Sequence, residues 1–554
     1  MRAAALLRAL ARRRNDSTPD AVRARLRLLE TLARRKLRSA RAVAALHDEL
    51  LFLVAFPHSR TLTTAARRAL RGIARRVRDL SRSEARRLQD SGIDGTRSTH
   101  AFMHGVARWL VRQRESVVPR WQRDKDAERL DPLIRLSMLP AELDAFDESG
   151  LSTRQWVQRA SARLAGGVVE WLVGPRPLAT DAASRELYEN AEVPLVWSLA
   201  NSRWSTSRNV APGMGCGTRG PFRRVAGDPA AFISAPLTVV RRVGGSEAQD
   251  WVDASLAALA ARCREVAAIA NANLEEVYIA EFGEGVQLCL MGAGLADRLA
   301  LEANYGYVMF SNRVPIGYGG VTALANQANT GINIFDAFRG SEAAYVFAQA
   351  LRAFRGLFGV DRFVVSPYQF GADNDEAIQS GAYWFYDRLG FRRIDARARV
   401  LADRERRRLK APGQRSTPAV LRSLAGGDLV LELTRTSAVA HVEERRLVDL
   451  GLRVAASLAH VPAGERIVHV LSQARRQKHR LTGDRTALTP SERRGAVLLG
   501  PLLDLIERDA SRWSARDRRD LWSVVRAKGI LQERTFVRLS RTHERLWQAI
   551  GRCR

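Results

Sequence analysis

A chain of 554 residues is far longer than one hydrophobic core can organise, so length alone predicts about three or four domains. Its hydrophobic fraction of 46% is ordinary for globular proteins, and no run of roughly 18 apolar residues occurs, so the sequence predicts no transmembrane helix. The net charge of +30 is almost all arginine, a skew that points to anionic partners but is also what GC-rich coding produces. Cys216, Cys263, Cys289 and Cys553 lie far apart with no CxxC pair, which indicates neither a zinc ribbon nor a disulfide framework and suits a reducing cytoplasm.

In chain order, residues 1–175 read as a basic α-helical domain. The opening MRAAALLRALARRR is interrupted by Arg8 too early for a secretory segment and is taken as a first helix. Thr18-Pro19-Asp20 is a helix start, and Pro57 ends the periodic run that follows. Residues 90–96 are a turn-rich break before a helix over 101–114. His100 and His104 stand at i and i+4 there, a metal-like spacing, but without the acidic partner of a zincin motif they read as surface histidines.

Residues 176–236, rich in Pro, Gly and Ser, read as a linker with short strands or as a loop covering a pocket. A first strand is predicted over 236–243, a long helix over 246–271, and helical or mixed character over 273–298. GEGVQLCLMGAG from Gly283 does not follow a clear strand, so no Rossmann site is assigned, and 213–220 lacks the GK(S/T) of a P-loop.

The stretch 302–393 has the order strand, strand, strand, helix, strand, helix, strand. Residues 305–311 and 315–324 are β-rich and joined through Asn312 and Arg313, a good antiparallel pair. Residues 330–335 form a third strand. Residues 342–358 carry apolar side chains at helical spacing, stopped by Gly359. A strand over 362–366, a helix over 376–389 and a short strand over 391–394 complete the unit. After 396 the chain returns to Arg-rich helix, with a brief apolar stretch over 429–434. Between 230 and 394 there are 13 Arg and no Lys against 17 Asp and Glu, about −4, so the flanks carry about +34 by difference. The α/β unit is not itself a polyanion-binding surface.

Two phrases in that unit carry a resemblance. Ala337-Phe338-Arg339-Gly340-Ser341-Glu342-Ala343 stands between a strand and a helix, and Phe385-Tyr386-Asp387-Arg388-Leu389-Gly390-Phe391 closes the second helix. They resemble the pyrophosphate turn (Q/R)xxGxG/A and the closing "LYEKLGF" phrase of the GNAT family of acyl-CoA-dependent N-acyltransferases. The turn departs from the family form at Ala337, where Gln or Arg is expected, and at Glu342, where Gly or Ala is expected. The resemblance spans about 237–394. It implies a multidomain α + α/β protein with a central GNAT-like mixed sheet (237–396) between the N-terminal α-domain and an Arg-rich α-helical C-terminal domain (397–554).

The resemblance also implies a site. The amides of Gly340, Ser341, Glu342 and Ala343 would face the pyrophosphate of acetyl-CoA or another acyl-CoA from a helix N-terminus, with Arg339 adding a charge-assisted contact. Glu342 suits the helix but repels phosphate unless it points away. The strand ending Ile334-Phe335 would pair with the pantetheine arm, and Gln379 stands where the family often has Asn. Tyr386 would be the general acid for the departing thiolate. Read from the residues alone, Tyr386 is equally one of an aromatic cluster with Tyr383, Trp384 and Phe385. No histidine lies between His104 and His441, so a histidine triad is excluded from the unit, and the acceptor amine must be deprotonated by a carboxylate, by water, or arrive neutral. Glu281, Glu302 and Asp336 are candidate bases by location. The competing expectation is a non-catalytic scaffold whose basic helices contact nucleic acid, anionic lipid or an acidic protein.

Overall fold

A ten-stranded mixed sheet forms the centre of the molecule. The computed structural model describes residues 3–121, 129–176, 180–237, 239–434 and 441–553; Met1, Arg2, Pro177 and Thr238, which fall in elements expected from the sequence, lie outside these. The strands are β1 (Val240–Val243), β2 (Ala272–Glu281), β3 (Val286–Ala293), β4 (Ala303–Ser311), β5 (Val314–Leu324), β6 (Gln327–Thr330), β7 (Asn333–Ile334), β8 (Arg362–Val365), β9 (Arg392–Arg393) and β10 (Leu429–Glu432). Their order in space is β9-β10-β8-β6-β5-β4-β3-β2-β1, with β7 continuing alongside β5. All pairings are antiparallel except β6 with β8.

The β4–β5 hairpin forms as its turn chemistry demands. Asn312 and Arg313 have φ of 48° and 70°, the two left-handed positions that let a two-residue turn follow strand twist. The region 273–298 corrects the expectation of helical or mixed character, because it is the β2–β3 hairpin. Its turn is Gly283-Glu284-Gly285, all at positive φ, so the glycines serve a hairpin and not a phosphate loop. Strand β3 is buried at every position, which removes the polar alternation that would reveal it.

Helices cover both faces. On one face α1 (Ala3–Arg12), α2 (Ala40–Ala55), α4 (Ala343–Phe358) and the helices of 466–552 share a single core with the odd-numbered side chains of β4. On the other, α3 (Gly245–Ala260) and helices His104–Arg112 and Gly167–Val173 pack on Val308 and Phe310. Burial of side chains such as Trp251, Phe354 and Phe358 stabilises by about 2–3 kcal/mol each. The predicted helix 246–271 is interrupted at Cys263, whose φ is 53°, and only Ala267–Ala270 resumes it. The predicted helix 376–389 is two, α5 (Asp375–Ser380) and α6 (Ala382–Arg388), divided by Gly381 at φ 67°. Helix α4 ends as expected on Gly359, in the left-handed region.

Residues 1–175 are not helical throughout. Arg97–His100 and Val117–Pro119 pair with Leu195–Ser198 in a separate three-stranded sheet. His100 therefore lies on a strand, with Nε2 3.3 Å from Glu265, while His104 opens a helix with Nε2 3.2 Å from the Val173 carbonyl; the i, i+4 face does not exist. The apolar stretch near 429 is β10, inserted between β8 and β9. Among the described residues no helix is long and apolar enough to cross a membrane.

Candidate functional site

Two neighbouring strands separate near the middle of the sheet. Strand β6 pairs with β8 over Gln327↔Arg362, Ala328↔Phe363 and Asn329↔Val364, and there the pairing ends. Beyond it the first arm stays on β5 in an unchanged register, from Val321↔Thr330 to Tyr318↔Asn333 and Gly317↔Ile334. The second arm follows β10, through Val365↔Leu429. The opening is thus lined on one side by 331–334, where Asn333 is exposed and Ile332 and Ile334 are half-buried. On the other side are Ser366 and Tyr368, both exposed, and half-buried Gln369.

Three side chains converge on the apex. The Tyr307 hydroxyl donates to the Gly331 carbonyl at 2.6 Å, reaching it because Gly319 has no side chain; a Cβ there would stand 2.3 Å from the Gly331 oxygen. Gln369 leans across from the second arm, so close that a Cβ on Gly331 would meet its Oε1 at 2.6 Å. The Tyr386 hydroxyl faces the Ile332 amide, whose N–H opposes the upward push of burial on the phenol, while its ring packs edge-on to Phe347, Phe385 and Phe391. Burial pushes both phenols far up, so each keeps its proton through neutral pH. Tyr386 is thus a core ring whose hydroxyl faces the Ile332 amide.

The turn beyond β7 begins the second part of the site. Gly340 has φ 79° and open space where a Cβ would project; Arg339 and Gly340 are exposed, and Ser341 and Ala343 are half-buried at the start of α4. Arg339 is held by Glu376 at 2.7 Å and Asp336 at 3.0 Å. The Glu376 contact lowers that carboxyl below its usual range. Glu342 is turned inward to Arg219 at 2.7 Å, so its charge is spent away from the turn. Phe335 is buried 5.4 Å from the Tyr318 ring, under the Arg262 guanidinium at 4.1 Å. Apolar crowding lowers Arg262 to about 10, still charged at neutral pH. Gln379 is exposed on α5, whose cap is Asn374.

The chain matches no family model, no curated protein and no solved structure.

Of the candidate bases, only Asp336 stands at the mouth. Glu281 is four strand spacings across the sheet, about 19 Å from Phe335. Glu302 precedes β4, where its carbonyl accepts from Lys528 Nζ at 2.8 Å. Tyr307, Gln369 and Glu376 were not singled out from the sequence. The one local signal was the glycine pattern Gly319, Gly320 and Gly331, which marks a close approach of side chains to backbone.

Proposed function

We propose that the protein is an acyl-CoA-dependent N-acyltransferase of the GNAT type. The reading rests on one observation: β6 and β8 part after three residue pairs, with the Tyr386 hydroxyl at the Ile332 amide inside the opening. An extended arm carrying amides can pair with the free edge of 331–334, as an added strand does. The exposed turn at Gly340 and the first N–H groups of α4 offer an anion the start of a four-turn helix.

In such a complex the acceptor amine attacks the thioester carbonyl carbon, the C–S bond breaks, and an amide and a thiol result. The Ile332 N–H, beside Tyr386, can donate to the carbonyl oxygen as charge builds on it. The Tyr386 O–H then protonates the departing sulfur, and water returns a proton to the phenolate. A thiolate buried in the same place is correspondingly basic, as the buried Cys289 thiol, pushed far up, illustrates. The amine's proton leaves through water, since the mouth carboxylates Asp336 and Glu376 both bind Arg339.

Calorimetric titration of acetyl-CoA into the full chain tests the reading. Saturable binding that raises the melting temperature, with thiol release on adding amines, is expected. Absence of binding would remove the proposal.

A further inference from the structure

A groove of about 460 Å³ runs between α1 and α2 and ends on the turn after β7, at Asp336 and Ala337. Apolar residues such as Leu7, Ala42 and Ala45 line it between charged ones. The two helices run in the same direction, because Arg14, just past α1, meets Glu49 and lies over the Phe52 ring in the second half of α2. The groove is polarised along that direction. At the inner end Glu49 has Arg14 and Asp336 has Arg339, while Asp48 lies 3.3 Å from His47 Nδ1. At the outer end Arg8 and Arg41 are exposed, and among the described residues no carboxylate lies within ion-pair distance of either. Arg41 and Asp48 are seven residues apart on one helix, two turns or about 10 Å.

We propose that this groove is a phosphate-ester site, with Arg8 and Arg41 as its cations and its inner end opening toward the parted strands. The turn itself supplies no free cation, since Arg339 is taken by two carboxylates. Positive charge for a phosphate must come from another element, and the groove that starts at this turn carries two uncommitted guanidiniums at its other end, about 10 Å along α2. The inference rests on the acyl-transfer reading for what lies beyond the inner end, but not for the groove's own chemistry. The phosphate has two possible carriers, the 3′-phosphoadenosine end of the acyl donor or a phosphorylated acceptor amine.

The test is calorimetric titration of the full chain with adenosine 3′,5′-bisphosphate and with 6-aminohexyl phosphate, whose extended length of about 10 Å matches the groove. Wild type is compared with an Arg8→Glu/Arg41→Glu variant, whose exposed positions leave the melting temperature unchanged. At least one probe binds wild type, and roughly tenfold or more weaker to the variant. Displacement of the bisphosphate by acetyl-CoA assigns the site to the donor; 6-aminohexyl phosphate binding alongside acetyl-CoA assigns it to the acceptor. If neither probe binds, or both forms bind equally, the groove proposal is overturned. If acetyl-CoA fails to bind while a probe binds through Arg8 and Arg41, the acyl-transfer reading falls and the groove stands.

Discussion

Glu342 and Arg219 form an ion pair at 2.7 Å with side chains only 1% and 2% exposed. Arg219 also donates to Ser311 Oγ at 3.0 Å, which donates to the Ala55 carbonyl at 2.7 Å, and the Arg223 N–H donates to Glu342 at 2.7 Å. One carboxylate thus ties the start of α4 to the irregular segment near 220, the β4–β5 tip and the end of α2. Arg219→Met leaves the buried Glu342 carboxylate without its counter-ion, held only by the Arg223 N–H, and costs about 3–5 kcal/mol, read as a lower denaturant midpoint. The Arg219→Met/Glu342→Met double variant recovers much of that loss. A single variant as stable as wild type would show the pair to be structurally idle.

Tyr386→Phe keeps the ring among Phe347, Phe385 and Phe391 but removes the hydroxyl at Ile332. Turnover is expected to fall about 100-fold or more with acetyl-CoA affinity little changed, the split expected when a proton donor acts only in the transition state. Equal turnover in steady-state assays would leave Tyr386 as packing alone.

Gly340 has open space around it but φ 79°, so substitution there acts through backbone and charge and not through a clash. Gly340→Ala carries the left-handed strain of about 1–2 kcal/mol. Gly340→Asp adds a negative charge beside the helix start. Acetyl-CoA binding should weaken more for Asp than for Ala; equal affinities would place the phosphates elsewhere.

Burial lowers His58 and His104 from 6.5 to about 4. His58 Nδ1 lies 3.0 Å from the buried Arg25, a geometry that needs the neutral ring. Because the folded state disfavours the proton, stability is fully present above pH 6.5 and is lost as pH falls through about 4. For the almost fully buried His104 the loss amounts to about 3 kcal/mol. Melting temperature followed from pH 8 to pH 4 checks this, and His58→Asn, which keeps an acceptor for Arg25, should flatten part of the slope. An unchanged slope in that variant would mean the titration lies in other groups.

Tyr307→Phe removes the donor to the Gly331 carbonyl and leaves that oxygen unsatisfied at the apex, at a cost of about 1–3 kcal/mol. Hydrogen exchange at 330–334 should quicken more than at β4. Uniform exchange rates would argue that the apex is held by Gln369 and Tyr386 alone.

What was legible in the sequence was whatever neighbouring residues enforce on their own backbone. The two-residue turn at Asn312 and Arg313, the apolar stripe of α4 and its stop at Gly359 all follow from local preference and spacing. So did the mixed α/β centre and the concentration of positive charge in the flanks. Strand β3 and the buried stretch 276–280 of β2 were hidden because burial on both faces erases alternation, and β10 because three apolar residues before Glu432 have no period to read.

Only the tertiary structure decided where the strands part, what Tyr386 touches, and which charges are free. Glu342 is silenced by Arg219, 123 residues earlier, and Arg339 by Glu376, 37 residues later. Coulomb attraction and hydrogen bonding act on distance in space, so the same arginine is a phosphate ligand or a structural brace according to which carboxylate the fold brings beside it. Sequence order alone carries no record of that choice.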